Sequence, residues 1–373
     1  MGFSVEPDAV AGLSKQFDRL AESATQGKSY VATHTDLDLT GEGLINLIVG
    51  GHQQVQDQVE QFLKTLADPT ASGTAGALDT AAKYYRATDD TNARELDATY
   101  PSVDVSAAKE GTERVEANVG AFQDVADPTA RYKPPQDYNA EMPYEPHWSS
   151  LASPTSALRD AIWNVTNAAA SLGICDRAYD PFEVFLKPMV GDWAGMRGCA
   201  DVFRNVGAAV TDMADNVRWS AQNLSGAWTG NAADSCQLHL FVLAKSLESA
   251  RQPLEDIANE YQGAANGAQD LSSSIGVLLS DIADAALAVA ASAAVSGAAG
   301  ATGVGLPIAL IVGAFTLTRI YKVVRGVMQI LDLVARVRAT VDAYNGAAGD
   351  FGKVDATSPL PKLPANSMTV PSV

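Results

Sequence analysis

The stretch Met196–Leu271 decides the fold, and its middle reads Ser225-Gly226-Ala227-Trp228-Thr229-Gly230-Asn231. Before that heptapeptide, Met196, Cys199, Phe203, Val206, Val210, Met213, Val217, Ser220 and Leu224 alternate in steps of three and four, the spacing that lines one face of an α-helix. After it, Cys236, Leu240, Leu243, Leu247, Ala250, Leu254, Ile257, Tyr261, Ala264, Ala268 and Leu271 do the same. A pivot at Gly230 brings the two stripes together: Leu224 faces Cys236, Val217 faces Leu243, Met213 faces Leu247, Val206 faces Leu254 and Phe203 faces Ile257. Slipping the register by one residue would set Glu248 against Met213 and Arg251 against Val210, burying unpaired charge at a cost on the order of several kcal/mol. The pattern therefore predicts an antiparallel αα-hairpin. Glycine lets the chain reverse, the Trp228 indole closes the open end, and Asn231 is placed to cap the second arm with Asp234 in its first turn. Pro253, lacking an N–H, is expected to kink that arm.

Downstream, Ala285 to Thr318 carries no charge, and Gly297 to Pro307 interrupts it. The interruption leaves arms of about 12 residues, roughly 18 Å each as helix and too short to span a bilayer singly. Ile320, Val324, Val327, Leu331, Val334 and Val341 then form a further stripe among Arg319, Lys322, Arg325, Arg336 and Arg338. Residues 273–345 read as another hairpin with an apolar tip, and 346–373 as a flexible tail. Upstream, Leu158, Ile162, Val165, Ala169 and Leu172 share a helical face.

Near the N-terminus three stripes recur: Val10, Leu13, Phe17, Leu20 and Ala24; Ile45, Ile48, His52, Val55, Val59, Phe62 and Leu66; and Leu78, Ala82, Tyr85, Asp89, Asn92 and Leu96. Pro7 suits the first helical turn, and the polar stretch Thr33 to Gly43 breaks the pattern. Folding the second stripe on the third about Ser72 pairs Leu66 with Leu78 and Phe62 with Ala82, which predicts a hairpin there. In that register His52 comes near Asp89 and is read as a satisfied core imidazole. Pro128, Pro134, Pro135, Pro143 and Pro146 oppose a continuous helix. The expected architecture is all-α: antiparallel helical hairpins in two modules, residues 1–100 and 153–345, joined by a partly helical, then Pro-rich linker over 101–152.

The formal net charge is −18, with 24 acids against 11 bases in residues 1–150 and 20 against 15 in the rest. Such a surface repels phosphate backbones, so no nucleic-acid partner is expected. The start Met1-Gly2-Phe3-Ser4-Val5-Glu6-Pro7 has neither a basic nor an apolar signal region, so no cleavable signal peptide is expected. Cys175, Cys199 and Cys236 form no Cys-x-x-Cys, and His34, His52, His147 and His239 show no metal-ligand spacing. No nucleophile elbow and no phosphate loop is present, and Gly303-Val304-Gly305 follows no strand. The reading is of a chain without catalytic residues, cofactor or metal.

Trp228-Thr229-Gly230 between two helical arms resembles the WXG family of helical-hairpin substrates of type VII (ESX-type) secretion systems. Gly191-Asp192-Trp193-Ala194-Gly195-Met196, Asp215-Asn216-Val217-Arg218-Trp219 and the run from Trp228 to Asp234 are similar to the larger actinobacterial members, over about residues 154–344. Trp193-Ala194-Gly195 repeats the string but begins an arm rather than joining two. Separately, Val5-Glu6-Pro7-Asp8 and Tyr84-Tyr85-Arg86-Ala87-Thr88-Asp89 resemble the EspC-like secreted proteins, over about residues 1–100. That resemblance implies that Tyr85 and Asp89, a Tyr-x-x-x-Asp pair, form an export signal, and on a continuous helix they would share one face. The matches at Tyr100 and Tyr179 contain prolines, and Tyr261 is followed four residues on by Ala265. The resemblances imply a secreted or cell-envelope protein acting through helix–helix contacts. Its implied partners are a helical WXG-type protein and the secretion ATPase, and a homo-oligomer is compatible with the same surfaces. The alternative is a membrane-active effector that inserts its 285–318 tip.

Overall fold

A computed structural model describes residues 3–39, 43–106, 122–139, 157–295, 314–353 and 357–365. The described chain is almost wholly helical. It comprises α1 (Pro7–His34), α2 (Val49–Thr65), α3 (Ser72–Ala87), α4 (Asp90–Asp97), α5 (Ala157–Ser171), α6 (Trp193–Ala227), α7 (Asn231–Ser249), α8 (Arg251–Val295) and α9 (Ala314–Phe351). Two dipeptides, β1 (Ser4–Val5) and β2 (Trp228–Thr229), pair antiparallel.

The central hairpin forms as its periodicity predicts. Helix α6 runs unbroken to Ala227, the chain reverses at Trp228-Thr229-Gly230, and α7 and α8 return along it. Near the turn Gln237 donates to the carbonyl of Ala221, and farther along Leu254 lies over Gly207, beside Val206. The return arm breaks at Ala250, three residues before Pro253, because the proline cannot donate to the Ser249 carbonyl one turn back. Beyond the break the arm stays on α6, where Phe203 packs on Tyr261 at 5.2 Å. Asn231 is the first residue of α7 and does not cap it, since the capping position belongs to Gly230.

Helices α8 and α9 form the second long hairpin. Lys322 pairs with Asp281 at 3.4 Å, and Tyr261 meets Tyr344 edge-on at 4.8 Å. The expected apolar tip at Gly297 to Pro307 lies outside the described residues. Helix α5 packs across both arms with Ile162, Val165 and Ala169 buried, whereas Leu172, at its end, is exposed.

The N-terminal hairpin differs from expectation. Helices α2 and α3 do not fold on each other about Ser72; both lie along α1. His52 near the start of α2 reaches the carbonyl of Thr35 just past α1, while Arg86 at the end of α3 pairs with Asp8 at the start of α1. The reversal therefore falls in the polar stretch after His34. Asp68, at φ −149° and ψ 120°, leaves the helical region beside Pro69 and bends the returning arm instead of turning it back. His52 consequently lies far from Asp89 and hydrogen-bonds Tyr261 of α8 at 2.6 Å.

The expected separation into two modules is not what these contacts describe. Helix α1 packs on α6, α2 packs on α9, and one continuous core runs from Val10 through Phe203 to Tyr344. Nor is the Pro-rich stretch a free spacer. Residues 122–139 lie over the seam between α1 and α6, where Arg131 pairs with Asp212 at 2.7 Å and Tyr132 donates to the Ser23 carbonyl. Asn216 holds the same stretch by accepting from the Val125 and Ala126 amides. Residues 107–121 and 140–156, which make up much of the linker expected over 101–152, lie outside the described residues. The tail also departs from expectation: α9 runs on to Phe351, and Leu360 is buried against the core.

Candidate functional site

The residues singled out by sequence are Tyr85, Asp89, Trp228 and Gly230. Three of them meet. At the head of the central hairpin the chain leaves α6 extended, because Val5 and Ser4 pair with Trp228 and Thr229 and the Glu6 amide donates to the Ala227 carbonyl at 2.8 Å. This fixes the Trp228 indole inward, 4% exposed. Tyr85, on the last turns of α3, packs edge-on to it with ring centroids 5.7 Å apart, and Phe3 flanks Tyr85 at 5.9 Å. Such edge-to-face geometry places the positive ring edge over a negative face. Burial, followed by the neighbouring Tyr100 and Asp97, pushes the Tyr85 phenol well above the ordinary tyrosine range. It is therefore neutral at physiological pH and acts here as a packing group. The Trp228 indole N–H is buried with no acceptor inside hydrogen-bond distance among the described residues, and the Tyr85 phenol is the group it stabilises.

Gly230 follows at φ 128° and ψ −178°, a conformation open essentially to glycine alone. A Cβ there would also lie 2.6 Å from the Asp97 carboxylate oxygens. That carboxylate, from the end of α4, accepts the Asn231 amide at 3.0 Å and the Ala232 amide at 2.9 Å. Asp97 thus caps α7 from a distant segment, satisfying two of the amides that a helix start leaves without partners and matching its dipole. Asn231 donates in turn to the Tyr100 carbonyl at 3.2 Å.

Asp89 is not on the Tyr85 face, contrary to the helical reading of Tyr-x-x-x-Asp. Helix α3 ends at Ala87, Thr88 is extended, and the exposed Asp89 side chain accepts the Thr91 and Asn92 amides as the N-cap of α4. The signal in the sequence was Asp89 followed by a polar turn, a capping pattern that interrupts the stripe. Asp97 and Phe3 were missed: one looks like a surface acid, the other like a terminal residue, and only the partner segments give them roles. Trp193 is confined to the start of α6, where its indole donates to the Met189 carbonyl at 2.9 Å and Asp192 caps the helix.

Beside the Tyr85–Trp228 pair lies a trough of about 440 Å³, lined among others by Tyr84, Tyr100, Leu238, Val242, Pro364 and Ala365. No three His, Cys, Asp or Glu side chains converge to hold a metal among the described residues. His52 and His239 are buried, and burial lowers both below the ordinary imidazole range. Cys199 and Cys236 are buried thiols, the latter pushed up to about 12 by burial, and poor nucleophiles for that reason. Comparison with family models, curated proteins and solved structures finds no match to this chain.

Proposed function

We propose that this chain is a non-enzymatic protein exported by a type VII (ESX-type) secretion system, acting through helix–helix contacts with a WXG-type partner and the secretion ATPase. The observation that supports this reading is the junction of two motifs noted independently in the sequence. Tyr85 of the Tyr-x-x-x-Asp pair packs on Trp228 of the Trp-x-Gly turn. In this reading the tyrosine is the anchor and the exposed Asp89 at the start of α4 is the presented group. The hairpin head and the export determinant form one unit, so folding of the head and display of the acid are coupled.

The test is secretion from an actinobacterial host carrying such a system, comparing culture filtrate with lysate by immunoblot. Asp89→Asn keeps a good N-cap while removing the charge, and Tyr85→Ala removes the anchor. Both are expected to leave the protein in the cell, and the asparagine variant is expected to keep full helicity. Undiminished secretion of a folded Asp89→Asn/Tyr85→Ala double variant would refute the proposal.

A second reading is a membrane-active effector. Within the helical run Asn231–Ser292 an 18-residue window reaches a mean hydropathy of 1.7 with 33% of it buried, long and apolar enough to cross a bilayer by length and composition. Val277 and Tyr321, on the two arms of the distal hairpin, are 70% and 58% exposed. Flotation with neutral vesicles separates the readings: detergent-resistant partition of the purified chain favours insertion, and a protein that stays at the bottom of the gradient favours protein contacts.

A further inference from the structure

The trough beside Tyr85 and Trp228 already receives an extended proline-containing segment. The stretch Ser358-Pro359-Leu360-Pro361-Lys362-Leu363-Pro364-Ala365 follows α9 without forming helix or strand from Pro361 on. Prolines at every second or third position favour the polyproline II conformation, which repeats every three residues and so puts Leu360 and Leu363 on one side. Leu360 is buried and Leu363 packs against the core, whereas Lys362 between them is exposed. Gln58 of α2 anchors the start of the segment by donating to Ser358 Oγ at 3.0 Å. The segment then ends in the trough, where Pro364 and Ala365 are its only described residues in the lining. The lining also includes Tyr84, Tyr100, Trp228 and Val242, and Val242 is 41% exposed.

A groove lined by aromatic and aliphatic groups is what proline-rich peptides bind, because a preformed extended helix loses little entropy on docking. The volume of about 440 Å³ lies within the roughly 300–1,000 Å³ usual for ligand sites. A second, open trough of about 460 Å³ shares Tyr84 and Leu96 with it and is lined by Asp89 and Glu95. Over residues 89–97 four acids (Asp89, Asp90, Glu95, Asp97) stand against Arg94 alone. The two troughs together match an extended peptide with apolar residues and proline at one end and a basic residue at the other.

We propose that this double trough is a docking site for an extended, proline-containing peptide segment of a partner protein bearing a lysine or arginine. The chain's own Ser358–Ala365 segment is a strap whose end occupies part of that site and competes with the partner. This assignment shares Tyr85, Trp228 and Asp89 with the export reading but needs no secretion step, and peptide binding to the purified chain tests it separately.

The experiment uses the full chain and a fluorescein-labelled hexapeptide of sequence Pro-Leu-Pro-Lys-Leu-Pro, followed by anisotropy. Leu360→Asp with Leu363→Asp releases the strap without touching the trough, and circular dichroism checks that helicity is kept. The released variant is expected to bind the peptide at least tenfold more tightly than the wild type. Adding Val242→Glu is expected to abolish that gain, and replacing the peptide lysine by glutamate to weaken binding at least fivefold. Equal affinity in wild type and released variant, or affinity indifferent to Val242→Glu, overturns the proposal. Self-association of the released variant that Val242→Glu blocks also overturns it, because the occupant would then be a second copy's strap. Should the aspartate variants lose helicity, Val242→Glu alone in the wild type, on an exposed side chain, decides at higher peptide concentration whether the trough is the site.

Discussion

In an Asp97→Ala variant the first turn of α7 loses its acceptor. The carboxylate takes the Asn231 and Ala232 amides at 3.0 and 2.9 Å, and with Ala232 buried and Asn231 half-buried water replaces it poorly. A hydrogen bond to a charged group contributes about 1.5–3 kcal/mol, and losing an N-cap costs about 0.5–2 kcal/mol. With the two bonds sharing one cap, the expected loss is about 3 kcal/mol, and Asp97→Asn, which keeps an acceptor oxygen, should lose about 1 kcal/mol. Gly230→Ala provides the cross-check. It carries backbone strain of about 1–3 kcal/mol at this φ and ψ, plus the clash of its Cβ with the carboxylate. Removing that carboxylate removes the clash, so the double variant should be less damaged than the sum of the singles by about 1 kcal/mol or more. Urea denaturation followed by far-ultraviolet circular dichroism gives the stabilities, and amide exchange at Ala232 localises the effect. A loss within about 0.5 kcal/mol of wild type for Asp97→Ala, or strict additivity with Gly230→Ala, would refute the trans-capping argument.

Two further expectations concern the core. His52 and His239 have pKa values lowered by burial in the folded state, against about 6.5 unfolded. Their contribution is therefore full above about pH 6.5 and declines as pH falls below it, by up to about 1.4 kcal/mol per pH unit for each histidine until the folded pKa is reached. Melting curves between about pH 7.5 and 5.5 should fall, and His52→Gln should flatten part of the slope; a profile already flat in the wild type contradicts the burial of neutral imidazoles. Gly326 of α9 faces α8, where an added Cβ would lie 2.6 Å from Ile282 Cγ1. Gly326→Ala should then lower stability by about 1 kcal/mol despite its better helix propensity, and Ile282→Ala should cancel the penalty; a stabilised Gly326→Ala would mean the two arms are farther apart.

The helices were legible because periodicity is local. Val10 through Ala24, Met196 through Leu224 and Cys236 through Leu271 each declared a buried face, and the reversal at Gly230 followed from glycine between two matched stripes. The pairing of α2 with α3 was misread for the same reason. Any two amphipathic helices share the three-four spacing, so their stripes can be matched whether or not they touch. What the pattern omitted was the second buried face of α1, built from Gln16, Ser23 and Gly27. These small or polar residues are invisible to a hydrophobic reading. Yet Ser220 of α6 donates its hydroxyl to the Gln16 side-chain oxygen, and the Gln16 amide donates to the Asn216 carbonyl.

At the candidate site the division is similar. Trp228 and Gly230 were legible as a hairpin turn and Tyr85 as a motif residue, but their meeting was not. The sequence by itself determined where helices run, which faces they bury and where the long hairpin reverses, since those follow from side-chain spacing and backbone freedom over a few residues. Only the tertiary structure decided that α1 is the spine of the N-terminal helices, that Asp97 caps α7, and that Tyr85 lies on Trp228. Each of these joins residues far apart in the chain through polar or aromatic contacts whose partners no local pattern specifies.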